Sequence, residues 1–187
     1  MGYVYVYTGE GAGKTTNALG LALRTVGHKK KAIIIQFLKW WKNIGEYKIK
    51  KKLSPYYEIY QFGRPGWLNL SGRRKRVIRV NGEKIVVRDI NELDKKICEK
   101  ALEFAEKIMR KKKPRLLVLD EVNLAMHYKL LDVEKVLKFL EKIPKNTHVV
   151  LTGRYAPKKI LERAEFVNEI KLVKMPKHMV TTEGVQY

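Results

Sequence analysis

The chain has 187 residues, 40 of them Lys or Arg and 19 Asp or Glu, for a net charge of +21. A chain of this length buries about 70% of the surface that its unfolded form exposes and needs no staple. Its single cysteine, Cys98, excludes an intramolecular disulfide and a multi-cysteine zinc site.

With no apolar run long enough to cross a bilayer and no signal-peptide pattern, the expected location is the reducing cytoplasm. The positive field favours polyanions: nucleic acid, anionic membrane or nucleotide phosphates. Its densest runs, Lys29 to Lys31, Lys50 to Lys52 and Lys111 to Lys113, fall near expected element ends, where solvated termini account for most of them.

Short apolar runs alternate with helical periods along one expected domain over 1–187, the pattern of an α/β chain whose mostly parallel sheet is flanked by helices. Tyr3 to Tyr7 is the first strand, and Thr15 to Val26 a helix with Leu19, Leu23 and Val26 on its inner face and Gly27 as its cap. Ala32 to Phe37 is apolar almost throughout, as in a strand covered on both faces. A basic, tryptophan-containing stretch from Leu38 to Lys52 precedes a third strand, Tyr57 to Phe62.

Asn81-Gly82 between two β-rich runs predicts a hairpin around 76–88. Asn91 caps a helix with Leu93, Ile97, Ala101, Ala105 and Ile108 at helical spacing, ended by Lys113-Pro114. Then follow a strand from Leu116 to Leu119, a helix from Val133 to Lys142, a strand from His148 to Leu151, a helix from Lys158 to Ala164 and a last strand from Glu169 to Val173.

Directly after the first strand, Thr8-Gly9-Glu10-Gly11-Ala12-Gly13-Lys14-Thr15-Thr16 forms a glycine-rich turn into a helix. Such a P-loop cradles phosphates with backbone amides and a helix N-terminus, while Lys14 adds a mobile cation and the Thr15 hydroxyl can ligate magnesium. The strict pattern has Gly where this chain has Thr8. Asp120 and Glu121 end an apolar strand, where a P-loop protein places the acid that reaches the metal; one acid is expected to serve the magnesium and the other to fix Thr15 or a neighbouring group.

Thr152-Gly153-Arg154 follows another strand end, so Arg154 is a candidate either to neutralise triphosphate or to stack on adenine. Trp40, Trp41 and Trp67 lie in loop-like segments suited to a flat apolar ligand or to bases. His28, His127, His148 and His178 show no metal-ligand spacing, and no Ser, Cys or His constellation points to a covalent intermediate.

These segments together resemble the P-loop type of corrinoid adenosyltransferase. The family's phosphate loop is similar to Thr8 to Thr16, including the threonine. Arg24-Thr25-Val26-Gly27-His28, Gln36-Phe37-Leu38-Lys39, Gly45-Glu46, the stretch from Gln61 to Trp67, Leu119 to Asn123, Leu151 to Pro157 and the terminal Gly184-Val185-Gln186-Tyr187 extend the likeness in order along the chain.

The resemblance implies a P-loop NTPase-like (RecA-like) fold and a reaction in which Co(I) of a corrinoid attacks the 5′ carbon of ATP and triphosphate leaves. ATP then lies opposite to its orientation in ordinary P-loop enzymes. Thr8, Gly9, Glu10, Gly11, Ala12, Gly13, Lys14, Thr15, Thr16 and Arg154 are the implied ATP-binding residues. Lys14, Thr15 and Glu121 are catalytic, Thr15 and Glu121 hold magnesium, and Phe62 and Trp67 form an apolar wall for the corrinoid. An electron-donor protein supplying Co(I) and a homodimer are also implied.

Three departures stand out. Residues 71–89, with the hairpin, read as an insertion; Lys174-Met175-Pro176 lacks the family's histidine; and Ala12 replaces a frequent lysine. The +21 charge and the basic hairpin, with Arg73, Arg74, Lys75, Arg76, Arg79 and Arg88, keep a nucleic-acid-stimulated P-loop ATPase as the alternative. A nucleoside kinase and a non-enzymatic corrinoid-delivery protein are further rivals.

Overall fold

The computed structural model describes residues 2–69, 77–80, 83–177 and 182–185. The turn Asn81-Gly82, the basic run Arg73 to Arg76, His178 and Gln186-Tyr187 lie outside the described residues.

In chain order the elements are β1 (Val4–Thr8), α1 (Lys14–Gly27), β2 (Ala32–Phe37), α2 (Gly45–Lys48) with a 3-10 turn at Ile49–Lys51, β3 (Tyr57–Phe62), β4 (Trp67–Leu68), β5 (Val77–Val80), β6 (Glu83–Arg88) and α3 (Glu92–Lys112). There follow β7 (Leu116–Asp120), α4 (Val122–His127), α5 (Val133–Glu141), β8 (His148–Thr152), α6 (Lys158–Arg163) and β9 (Phe166–Glu169). Six strands form a wholly parallel sheet in the order β3-β2-β7-β8-β1-β9.

All six residues of β2 are buried because helices cover both faces. On one face Ile33, Ile35, Leu117, Leu119 and Val149 pack with Ala101, Ala105 and Met109 of α3 and with Phe139 of α5. On the other, Ile34, Ile59, Val118 and Val150 meet Ala18 and Ala22 of α1. Those two alanines form the buried face of α1, whereas Leu23 is 60% exposed: small side chains let the helix approach the sheet, and the larger leucine is left at its rim. Gly27 is the last helical residue rather than the cap, and Lys29 makes the left-handed turn with φ 53°.

Asn91 caps α3 as expected, in a capping box closed by Asp94. Leu93, counted on the inner face by spacing, is half exposed in the first turn. β5 and β6 pair antiparallel, and β4 adds to β6 in parallel to make a second, three-stranded sheet. The last strand runs over Phe166–Glu169, three residues before its expected start. Its partner β1 turns away after Thr8, which pairs with Glu169, so the alternating run beyond it has no strand to join.

Candidate active site

Because every strand of the large sheet points the same way, Thr8, Phe37, Asp120 and Thr152 end at one edge. The glycine-rich loop, the Leu38-Lys39 turn, Glu121 and the Gly153-Arg154 turn therefore converge there, where open parallel sheets bind ligands.

Gly9 and Gly13 have φ of 95° and 104°, open to glycine and strained for other residues. A Cβ on Gly9 would lie 2.5 Å from the Ile170 carbonyl oxygen, and one on Gly11 2.7 Å from the Ile170 methyl carbon Cγ2. Two of the three glycines thus admit the chain that leaves β9: the Gly11 amide donates to Ile170 O at 2.7 Å, and Ile170 N to Thr8 O at 2.9 Å. Gly13 forms the entry to α1, where a Cβ would meet only Thr16 Oγ1 at 3.8 Å, so the helix N-terminus stays approachable. Thr8, at the position of the absent glycine, needs no left-handed backbone; its hydroxyl accepts from Ala156 N at 3.2 Å and ties the loop to the turn carrying Arg154.

Lys14 Nζ donates to Gly9 O at 2.7 Å and Gly11 O at 2.5 Å. Burial and the Arg154 charge press its pKa below the ordinary lysine value, against the pull of Glu121 and Glu10. Arg154 pairs with Glu10 at 3.5 Å across the loop mouth, both about half exposed.

Asp120 is fully buried and saturated. Oδ1 accepts from Thr15 Oγ1 at 2.8 Å and Thr152 Oγ1 at 2.6 Å, and Oδ2 accepts from Gln36 Nε2 at 3.1 Å and pairs with Lys39 Nζ at 2.7 Å. Burial alone would raise its pKa; the Lys39 ammonium and these hydrogen bonds more than offset that and hold the carboxyl below the ordinary aspartate value. Glu121 is pushed the other way, raised by burial and by the Asp120 charge in spite of Lys39, Lys14 and Arg154. Its backbone is left-handed, φ 63°, so its side chain leaves the strand direction that Asp120 follows, while its amide donates to Thr152 Oγ1 at 3.0 Å.

Thr15 Oγ1 donates its hydrogen bond to Asp120 and accepts a long one from Lys39 Nζ, which leaves one oxygen lone pair for a cation. Thr15 and Glu121 offer hard oxygen donors of the kind magnesium takes, usually one or two side chains plus phosphates and water, so the residues present fit that ion.

Lys39 and Gln36, which the sequence offered only as part of a family-like segment with no role assigned, join the site. Lys39 Nζ also lies 3.4 Å from Thr15 Oγ1, aimed there by the left-handed Leu38, φ 62°. The signal available for Gln36 is a polar residue in an otherwise apolar strand. It is fully buried, receives Gln61 Nε2 at 3.0 Å and donates to Glu46 at 3.3 Å.

Of the two expected corrinoid residues, Trp67 is 42% exposed on β4, whereas Phe62 packs its ring on Phe104, centroids 5.3 Å apart. Trp40 Nε1 donates to Gly66 O at 3.2 Å, joining the loop after β2 to the loop before Trp67. Cys98 is buried in α3, its thiol pushed up to about 12 by burial and by the charges of Asp94 and Glu99. Among the described residues no cluster of His, Cys, Asp or Glu has metal-binding geometry by itself, and no helix is long and apolar enough to cross a membrane.

The family described as ATP:corrinoid adenosyltransferase BtuR/CobO/CobP matches residues 1–187. A corrinoid adenosyltransferase of Sinorhizobium sp. is 32% identical over 177 residues, covering 94% of this chain and 74% of that one. The corrinoid adenosyltransferase of Escherichia coli K12 is 32% identical over 174 residues, 92% of this chain and 78% of the relative. That of Salmonella typhimurium LT2 is 30% identical over the same length, with the same coverage.

Proposed function

Since the chain belongs to the ATP:corrinoid adenosyltransferase family, we propose that it transfers the 5′-deoxyadenosyl group of ATP to Co(I) of a corrinoid, in the synthesis or salvage of an adenosylcorrinoid. The cobalt lone pair forms the bond to the 5′ carbon, the carbon–oxygen bond breaks, and its electrons leave with triphosphate. Cobalt is formally oxidised from Co(I) to Co(III).

The observation that carries the site assignment is the division of labour between the two acids. Asp120 has every lone-pair direction engaged and serves to orient Thr15, while Glu121 stands beside Lys14 and Arg154 with its charge uncompensated by a short ion pair. We assign Thr15 and Glu121 as the residues that hold magnesium, which when bound neutralises charge on the phosphates. Lys14, released from the Gly9 and Gly11 carbonyls, contacts the phosphate chain together with the amides of Ala12 to Thr16, and Arg154 reaches the loop mouth beside Glu10. These charges stabilise the leaving triphosphate, so the reaction needs placement and electrostatics rather than a protein base.

Trp67, and with it Phe62, whose ring packs on Phe104, supply the apolar wall that disfavours a lower axial ligand on cobalt. The 1–187 chain works as one domain with 71–89 inserted. An electron-donor protein and a homodimeric assembly complete the reading.

Product analysis tests it. With Mg-ATP and reduced cobalamin under anaerobic conditions, tripolyphosphate is the expected inorganic product. Release of ADP, with or without nucleic acid present, would instead support the phosphate-transfer alternatives.

A further inference from the structure

Asp94 lies in the first turn of α3 and is 2% exposed, yet its carboxylate receives three side-chain or backbone partners from three segments. Arg64, in the loop before Trp67, grips it with a two-pronged contact, Nε at 3.0 Å and Nη2 at 2.9 Å. Arg88, the last residue of β6, reaches the same carboxylate through Nη1 at 2.8 Å. The Asn91 amide donates to it at 3.0 Å. Arg88 goes on to the Pro65 carbonyl through Nε at 3.2 Å.

The strand pair adjoins this knot. Trp67 and Leu68 lie opposite Val87 and Arg88, and Asn69 N donates to Arg88 O at 2.8 Å. At Gly66, φ 108°, a Cβ would come within 3.0 Å of Arg88 Cδ and Val86 O, so the loop is pressed against β6 at the residue before Trp67. On its other side a Cβ on Gly63 would meet the Leu38 backbone at 2.5 Å, next to Lys39 of the phosphate site.

We propose that Asp94 is a positioning residue for the corrinoid half of the reaction: by holding Arg64 and Arg88 together it fixes the backbone that carries Trp67 and makes the inserted hairpin part of the same wall. This rests on the assignment of Trp67 made above. An isolated two-residue strand such as β4 has too few bonds to hold itself, and a paired arginine fork supplies directional restraint that a lysine does not. The insertion is in this view a brace for the substrate wall, joined to it by β4–β6 pairing and by Arg88.

The test uses the full chain with Asp94→Asn, which keeps shape but removes the charge, and with Arg64→Lys/Arg88→Lys, which keeps charge but removes the forks. Amide hydrogen exchange at Asn69 is expected to quicken at least tenfold in both, with Ile34 and Val118 in the main sheet unchanged. The KM for cob(II)alamin with reductant is expected to rise at least tenfold while the KM for ATP stays within about twofold, and the Co(II) spectrum on the enzyme is expected to shift toward that of the free corrinoid.

Unchanged exchange at Asn69 in the lysine pair, which is the variant that retains both charges, overturns the clamp. Faster exchange with an unaltered corrinoid KM also overturns the proposal if Trp67→Ala impairs that KM. If Trp67→Ala leaves it intact, the fault is in the assignment of Trp67, and the proposal falls with that assignment.

Discussion

Replacing Asp120 with Asn is the perturbation for which the structure gives the most definite expectation. An asparagine can keep its oxygen toward the Thr15 and Thr152 hydroxyls, but its amide then faces two other donors, Gln36 Nε2 and Lys39 Nζ, where Oδ2 accepted both. Removing one partner of a buried ion pair costs about 3–5 kcal/mol. The Lys39 side chain is 29% exposed and can turn toward water, which places the loss at the lower end, about 3 kcal/mol. For a chain of this size that is a fall of about 6–12 °C in Tm.

Urea is the denaturant of choice because guanidinium screens the pair under study. In a double-mutant cycle with Lys39→Met, the doubly substituted chain should recover part of the loss, since no unpaired charge is left, giving a coupling of at least about 1 kcal/mol. Activity should fall about 10–100-fold in Asp120→Asn, because Thr15 loses the group that orients it. Additive effects within about 0.5 kcal/mol would refute the reasoning that Lys39 and Asp120 form one unit.

Glu121→Gln should stabilise the ligand-free protein at neutral pH by about 1 kcal/mol, because it removes a carboxylate that burial and Asp120 disfavour, while abolishing magnesium-dependent turnover; calorimetry and the adenosylation assay read the two effects. Lys14→Ala should lower kcat by about 10²–10³ with little change in the unfolding midpoint, as expected for a charge directed at a leaving group. Gly9→Ala should destabilise more than Gly13→Ala: both have positive φ, but only the first places a Cβ against the Ile170 backbone, and chemical denaturation ranks them.

Acid unfolding should report Asp94. Burial alone would raise its carboxyl, but Arg64 and Arg88 hold it well below the ordinary value. The unfolded chain binds the proton first, so this contribution is complete above a pH of about 4 and is lost as the pH falls below that value. Asp94→Asn should therefore flatten the stability curve below pH 4, and an unaltered slope would count against the pairing.

An apolar run broken only by Gln36 makes β2 legible to the residue, the aromatic and β-branched content of Tyr57–Phe62 does so for β3, and the glycine-rich loop identifies the phosphate edge from sequence alone. Less is legible where tertiary partners decide. The run after Glu169 alternates like a strand, but β1 has already turned into the loop, so no pairing is available. Leu23 repeats at helical spacing, but the close approach of α1 to the sheet is made through Ala18 and Ala22.

α4, with six residues, and β4, with two, are too short to show a period. The site is legible as a list of strand ends, Thr8, Asp120 and Thr152. That Asp120 is saturated through Lys39 and Gln36, the basis on which we propose Glu121 for the metal, depends on side-chain geometry that spacing does not encode. The same holds for Asp94, which in sequence is only the third residue of a helix.

ATP serves here as an adenosyl donor rather than a phosphate donor. ATP labelled with ¹³C at the 5′ carbon, incubated anaerobically with magnesium, the protein and chemically reduced cobalamin, tests it at the reacting atom. The label should move to a methylene bound to cobalt through a bond that visible light breaks. Label retained in ATP, or passing into ADP, would contradict it.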